Sequence, residues 1–397
     1  MYSPRIIASK AAAIESAYPI KLKEYGVNEI EVWVERLKAL IHPDSTEANP
    51  KLTRSLTEEE QNFISNEIFM CKISYPYWAT RYAMIKTDKG GLARLKFWES
   101  QEMLLSTMGV LEESAVPILI INLKARQIGA STLSETVLTH KVINNHGITS
   151  LVASDEPAKS EFLFNMMERV YQHLPFYLRP HKKFHQKGMQ LIFDTLDSNI
   201  YVDSGNKRTG GIGQGMTIHA GHLSELATWD NPEMIIEDLL PALLSGASPN
   251  TFFIMESTAK GKSGHWYNWW RAAKRKKFHD FVPVFIPWWS VTEKYSKDPV
   301  DGWTPSDRIL KQAATIKATK GKELNIKQMY WWDKTYESHK ETNELNKFFA
   351  EYASDDQEAF QLSGSTVFPT EILNDMLREA KAKSCALYEL EEKLVIK

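Results

Sequence analysis

The sequence predicts an α/β protein with a mostly parallel central sheet flanked by helices, and three observations predict it. Residues 118–123 form an apolar, β-branched run of strand length, followed by a short polar link and then a return to helical spacing at Leu133, Val137, Leu138 and Val142. A second apolar run, 148–154, is followed by a helical pattern over 157–174, with Asp155 as the expected cap. Further strand-like runs recur at 217–223, 251–255 and 281–286. Strands alternating with helices argue for parallel pairing with helices on both faces.

The bulk properties exclude several classes. At 397 residues the chain can hold two domains, or one large α/β domain with an accessory part. A hydrophobic content of 43% and a charged content of 25% are ordinary for a globular protein. The net charge of −2 gives no global pull toward nucleic acid, so any such contact must come from a local patch. The two cysteines, Cys71 and Cys385, lie far apart and suggest neither a metal site nor a disulfide framework. No apolar run approaches membrane-spanning length, and the N-terminal stretch lacks the apolar core of a signal peptide.

The elements follow in order. Residues 1–75 read as a helical accessory region, with helical spacing at 32–41 and 58–71 and turn signals at Asp44-Ser45 and Asn49-Pro50. Trp98 and Gln101 stand about one helix before the first long strand; an aromatic ring and an amide suit a purine, and equally suit a helix packed inward. The link after that strand is Lys124, Ala125, Arg126, Gln127, Ile128, Gly129, Ala130, Ser131, Thr132. Strand, tight loop and helix is the setting in which backbone N–H groups and a helix N-terminus hold a phosphate. Against the pattern G-x-x-x-x-G-K-[ST] the match is partial. Gly129 and Ser131 fit; Lys124 stands at the first glycine and Ala130 at the usual lysine. Lys124 and Arg126 can still bring a cation to the phosphates from the other end of the loop. The alternative is a solvated turn.

Residues 190–193 and 199–202 read as a small hairpin, and the glycine-rich stretch 204–215 carries Lys207 and Arg208. The strand at 217–223 ends in Ser224-Glu225, where an ATPase places the carboxylate that orients its attacking water. The usual Asp-Glu pair is Ser-Glu here, so Ser224 can hold a Mg²⁺-bound water only through its hydroxyl. His181, His185, His219 and His222 lack ligand spacing and read as structural. The strand at 251–255 leads into Glu256, Ser257, Thr258, Ala259, Lys260 and Gly261. Residues 260–277 mix cations with aromatics, including Lys260, Lys262, Lys274 and Arg275. That mixture suits a nucleic-acid backbone, or a helix with its tryptophans in the core and its lysines in water. Residues 326–368 read as a lid or linker, and 369–397 as a charged tail.

Five segments in this order resemble the large terminase subunit of tailed bacteriophages, in its N-terminal DNA-packaging ATPase domain. They are KARQIGAST, HLSELATW, ESTAKG, FVPVFIPWW and the run FFAEYASDDQEAFQLSGSTVF. The resemblance implies a P-loop NTPase fold of the ASCE type, spanning 76–325, with residues 1–75 and 325–365 forming a helical lid. It implies ATP and Mg²⁺ as cofactors. Lys124 would be the phosphate lysine, Arg126 would sit at the γ-phosphate, Ser131 would hold Mg²⁺ and Gln101 would read adenine. Glu225 would be the catalytic glutamate, Ser257, Thr258 and Ala259 the coupling segment, and Arg208 a finger reaching a neighbouring subunit. The implied partners are double-stranded DNA, the portal protein, the small terminase subunit and further copies in a ring, pentameric on the portal. The implied location is the cytoplasm of the infected bacterium and, transiently, the portal vertex of the procapsid. The family's nuclease domain, with its acidic metal ligands, finds no room after Phe368, so no DNA cleavage is expected. The competing reading is a nucleotide-dependent assembly module with weak hydrolysis, because Ala130 and Ser224 replace charged residues.

Overall fold

The computed structural model describes residues 2–18, 20–46, 50–183, 188–205 and 215–360. Four helices come first: α1 Pro4–Ala17, α2 Val27–Lys38, α3 Glu58–Ile73 and α4 Tyr75–Tyr82. A two-stranded hairpin, β1 Met84–Lys86 and β2 Leu92–Arg94, leads into α5 Glu99–Glu113. Strands and helices then alternate: β3 Ile118–Lys124, α6 Ala130–Asn144, β4 Thr149–Ser154, α7 Pro157–Gln172, β5 Gln190–Phe193, β6 Ser198–Ser204 and β7 Ala220–Ser224. The pattern continues through α8 Pro232–Leu244, β8 Phe252–Ser257, α9 Gly264–Lys274 and β9 Val282–Ile286. Helices α10 Asp307–Lys320, α11 Ile326–Glu341 and α12 Leu345–Glu351 follow.

Seven strands form one sheet in the order β5-β6-β4-β7-β8-β3-β9. All neighbours are parallel except β5 and β6. The expected hairpin is therefore real, but it is the edge of the main sheet, because β6 also pairs with β4. Every residue of β3 is buried, as parallel strands covered on both faces must be. Its side chains alternate between two cores. Ile118 and Ile120 join the cluster that holds α5, α6 and the N-terminal helices, while Leu119, Ile121 and Leu123 join the one that holds α8 and α9.

The register sets the site. Asn122 of β3 and Ser224 of β7 both stand opposite Glu256 of β8, and Leu123 stands opposite Ser257. The carboxyl ends of these three strands thus finish level, which is where open α/β sheets bind ligands. The strand β8 runs two residues beyond the 251–255 run, so Glu256 and Ser257 lie inside the sheet. Helix α7 is capped at Glu156 rather than at Asp155. In the N-terminal segment α1 and α4 pack on α3 and also touch α5 and α6, respectively, while in the C-terminal segment α11 packs on α10 and α12. Among the described residues no helix is long and apolar enough to cross a membrane.

Candidate active site

The loop between β3 and α6 is shaped by two left-handed residues, Gln127 at φ 52° and Gly129 at φ 76°. Gly129 is required twice over: a Cβ there would meet Gln101 Nε2 at 2.8 Å. Gln101 is buried, and its amide is spent locally. Its Nε2 donates to the Gly129 carbonyl at 2.9 Å, and its Oε1 accepts the Trp98 N–H at 3.0 Å. Gln101 therefore braces the loop, and Trp98 is the residue of that pair that lines the cleft. Ser100 Oγ adds a second brace, donating to the Ile128 carbonyl at 2.7 Å. The helix α6 begins at Ala130 with Gly129 as its cap, so its free N–H groups face the same space.

The cleft beside this loop has a volume of about 390 Å³. Its walls include the loop residues 126–132, Lys124, Ser224 and Glu225, with the apolar Trp98, Phe162 and Met166 and the charged Asp88, Lys159 and Lys294. The cleft thus combines cations and backbone donors with apolar side chains, as ligand sites do.

Lys124, the last residue of β3, is buried and donates from Nζ to Glu225 Oε1 at 2.9 Å. Burial works against the Lys124 ammonium, but the Glu225 and Glu256 carboxylates outweigh it and hold the group above the ordinary lysine range. Glu225 follows β7 in a left-handed conformation, φ 56° and ψ 40°. That is strained backbone for a residue with a side chain, and such strain gathers at functional sites. It turns the carboxylate across the end of β8 toward β3. Its Oε2 accepts from Ser257 Oγ at 3.5 Å, and the same Oγ accepts the Ala227 N–H at 3.1 Å. Ser257 thereby touches both the carboxylate and the turn that carries it. Thr258 is half-buried and Ala259 buried beyond it.

Sequence reasoning missed the group behind this pair. Glu256 is fully buried and accepts from Ser131 Oγ at 2.5 Å and from Ser224 Oγ at 3.4 Å. His222, read from sequence as structural, lies with Nε2 3.3 Å from Glu256 and Nδ1 2.6 Å from Glu135 on α6. Burial opposes the ionisation of Glu256, but Lys124 and His222 pull its pKa down to about 2. Burial likewise opposes the His222 imidazolium, but Glu135 and Glu256 raise it to about 9. Only Nδ1 makes a hydrogen bond, to Glu135; Nε2 faces Glu256 at ion-pair distance. The alternating set Glu225, Lys124, Glu256, His222, Glu135 is one connected charge network under the loop.

Arg126 behaves differently. It is half exposed, and its guanidinium pairs with Glu351 Oε1 of α12 at 2.9 Å. Its backbone N–H donates to the Glu351 carbonyl at 2.8 Å, and its carbonyl accepts from the Tyr295 hydroxyl. The loop is thus tied to the C-terminal helices. Lys260 and Arg275 are exposed and Lys262 is half exposed; Lys274 pairs with Asp356, which also accepts from Trp270 Nε1. Arg208, Lys207 and His185 lie outside the described residues. Among the described residues no three His, Cys, Asp or Glu side chains gather as a group that could hold a metal alone.

No protein-family model and no curated protein matches this chain. Several phage large terminases and their ATPase domains are among the solved structures it resembles. The HK97 bacteriophage large terminase aligns with a TM-score of 0.48 at 14% identity, covering 70% of this chain and 53% of that one. The chain thus spans about half the length of that protein. The Thermus phage P74-26 large terminase ATPase domain aligns with a TM-score of 0.36 at 13% identity, over 50% of this chain and 82% of that one. A DEAD box protein from Methanococcus jannaschii aligns with a TM-score of 0.32 at 12% identity, over 72% and 71%.

Proposed function

We propose that this chain is the ATP-hydrolysing motor part of a DNA-packaging terminase. One observation carries the reading: a buried lysine at the end of β3 meets a strained glutamate at the end of β7, across β8, inside a cleft walled by a glycine-turned loop and a helix N-terminus. The phosphates of ATP compete with Glu225 for the Lys124 ammonium. The amides of residues 127–132 share the remaining phosphate charge, as preorganised donors do in phosphoryl transfer. Glu225, once released from Lys124, is free to orient and deprotonate the attacking water. Arg126, tied to Glu351, brings a second cation to the rim and links phosphate contact to α12. The apolar side chains of the cleft, Trp98 and Phe162 among them, take the base; Gln101 supports the loop rather than the base edge.

The donor set fits Mg²⁺, a hard cation that takes oxygen ligands and keeps several waters. Ser131 and, through water, Ser224 would hold it, and when bound it would neutralise charge on the transferred phosphoryl group. Ser257 supplies coupling: it touches Glu225 and the 225–227 turn, and Lys260 follows three residues later on the surface. A change at Glu225 is thereby felt at the cations assigned to the DNA backbone, Lys260, Lys262, Lys274 and Arg275. Work on double-stranded DNA at a portal, in a ring of copies with a small terminase subunit, completes the reading.

The test is steady-state ATP hydrolysis by the purified chain, with and without double-stranded DNA. Hydrolysis that DNA stimulates supports the motor. Tight nucleotide binding with negligible turnover in both conditions would instead support the assembly module.

A further inference from the structure

We propose that Glu256 supplies from β8 the carboxylate that Ser224 cannot supply from β7, holding the Ser131 hydroxyl and a metal-bound water for the Mg²⁺ that accompanies the nucleotide. The inference rests on reading the cleft as a nucleotide site, and it moves the acidic position one strand along the sheet.

The register makes the exchange possible. Ser224 and Glu256 stand directly opposite each other, so a carboxylate on β8 reaches the space that a longer acidic side chain at 224 would fill. The contacts show it used. A serine hydroxyl has one proton and two lone pairs. To ligate a cation it must give its proton elsewhere, and Ser131 Oγ gives it to Glu256 Oε1 at 2.5 Å. Ser224 Oγ lies on the same oxygen at 3.4 Å. The other oxygen, Oε2, is buried and, like Glu135 Oε2 behind it, has no hydrogen-bond partner among the described residues, so it is an acceptor still open to a water. His222, hydrogen-bonded to Glu135 at 2.6 Å, places its Nε2 3.3 Å from the carboxylate as an ion-pair contact behind it. Carboxylate, histidine and carboxylate in sequence orient a ligand-bearing group, as supporting residues around metal sites do. A carboxylate serving only to fill the core would need no hydroxyl from the phosphate loop.

The experiment uses a fluorescent N-methylanthraniloyl ATP as probe, titrated into the full chain in excess Mg²⁺ and in EDTA. Wild type is compared with Glu256→Gln and with Ser224→Asp/Glu256→Gln. The expected result is that Glu256→Gln loses about 10–100-fold of the Mg²⁺-dependent gain in affinity, read as the ratio of the Mg²⁺ and EDTA affinities of the same sample, because removing a carboxylate beside Lys124 shifts both affinities together. The double variant, which returns a carboxylate to β7, should recover most of that gain. An unchanged ratio of Mg²⁺ to EDTA affinities in Glu256→Gln overturns the proposal. Thermal unfolding without nucleotide checks the fold. If Glu256→Gln does not fold, Glu256→Asp replaces it, and an unchanged ratio there overturns the proposal equally. Wild type that binds no nucleotide in either condition brings down the ATPase reading too, whereas tight binding with a flat ratio brings down this proposal alone.

Discussion

Charge is handled in opposite ways at the ends of β3, β7 and β8 and along α9. At the strand ends Lys124, Glu256 and His222 are buried, with Glu135 of α6 buried behind them, and each is answered by an opposite charge within hydrogen-bond or ion-pair reach. Along α9 the order is reversed. Trp266 and Trp270 are buried, and the cations that follow stay at the surface. Buried ions are costly unless paired, so a network of them under a loop points to work done there. Exposed cations cost nothing to keep and are specific for nothing by themselves. The mixed basic and aromatic stretch therefore divides into a structural part, the buried tryptophans with Lys274 paired to Asp356, and an exposed part that includes Lys260 and Arg275.

The comparison can be broken most sharply at Lys124. Lys124→Ala removes the buried cation that offsets both Glu225 and Glu256. ATP hydrolysis should fall by about 10²–10³-fold, the scale of losing one preorganised charge partner. Near-normal turnover in Lys124→Ala, with loss in Arg126→Ala, would show that Arg126 is the phosphate cation.

The second break is in α9. Trp270→Ala should cost about 3–5 kcal/mol of stability, the range for deleting a large aromatic from a core, read as a lower denaturant midpoint. A midpoint within error of wild type would mean that Trp270 is free to stack on a ligand. The contrast sharpens with Lys260→Ala and Arg275→Ala. Each should leave the midpoint unchanged and weaken DNA binding about equally for all sequences, reducing the salt-dependence slope by about 1. An unchanged slope for both would remove this surface from the DNA path.

A smaller effect concerns a buried histidine outside the network. His140 lies between α6 and α3, with Nε2 at 2.6 Å from the Cys71 carbonyl. Burial pushes its pKa down to about 3, from an ordinary 6.5. The unfolded chain then binds more protons than the folded one between those values, so stability is full above about pH 6.5 and declines as pH falls toward 3. His140→Gln should flatten that part of the stability curve; an identical slope in the variant would place the acid sensitivity elsewhere.

Much of the fold was legible because β3, β4, β7 and β8 are apolar runs of strand length separated by helical spacing, and burial on both faces of a parallel sheet demands that composition. That Lys124, Ser131 and Glu225 would meet at one cleft was legible, because strand, loop and helix context survives even where the consensus residues do not. Glu256 was not, because its partners come from β7, α6 and the loop, and no spacing along the chain records that. The available signal was a charged residue closing the apolar run 252–255 and standing one strand from the loop. His222 hid for a related reason: one histidine in a strand is ordinary, and only the register puts it between two carboxylates. For the accessory helices the spacing gave length and face but not the neighbour that each face meets.

The central claim is that Glu225 activates water rather than merely starting the turn after β7, and Glu225→Gln tests it. The substitution keeps shape and hydrogen-bonding reach but removes the charge and the base. Nucleotide affinity and single-turnover ATP hydrolysis are measured on the same sample. The account predicts retained or tighter ATP binding, because Lys124 no longer pairs with a carboxylate at 225, and hydrolysis slower by about 10²–10⁴-fold, the range for a positioned general base. Hydrolysis at the wild-type rate, with binding intact, would contradict it and return the base to another residue of the cleft.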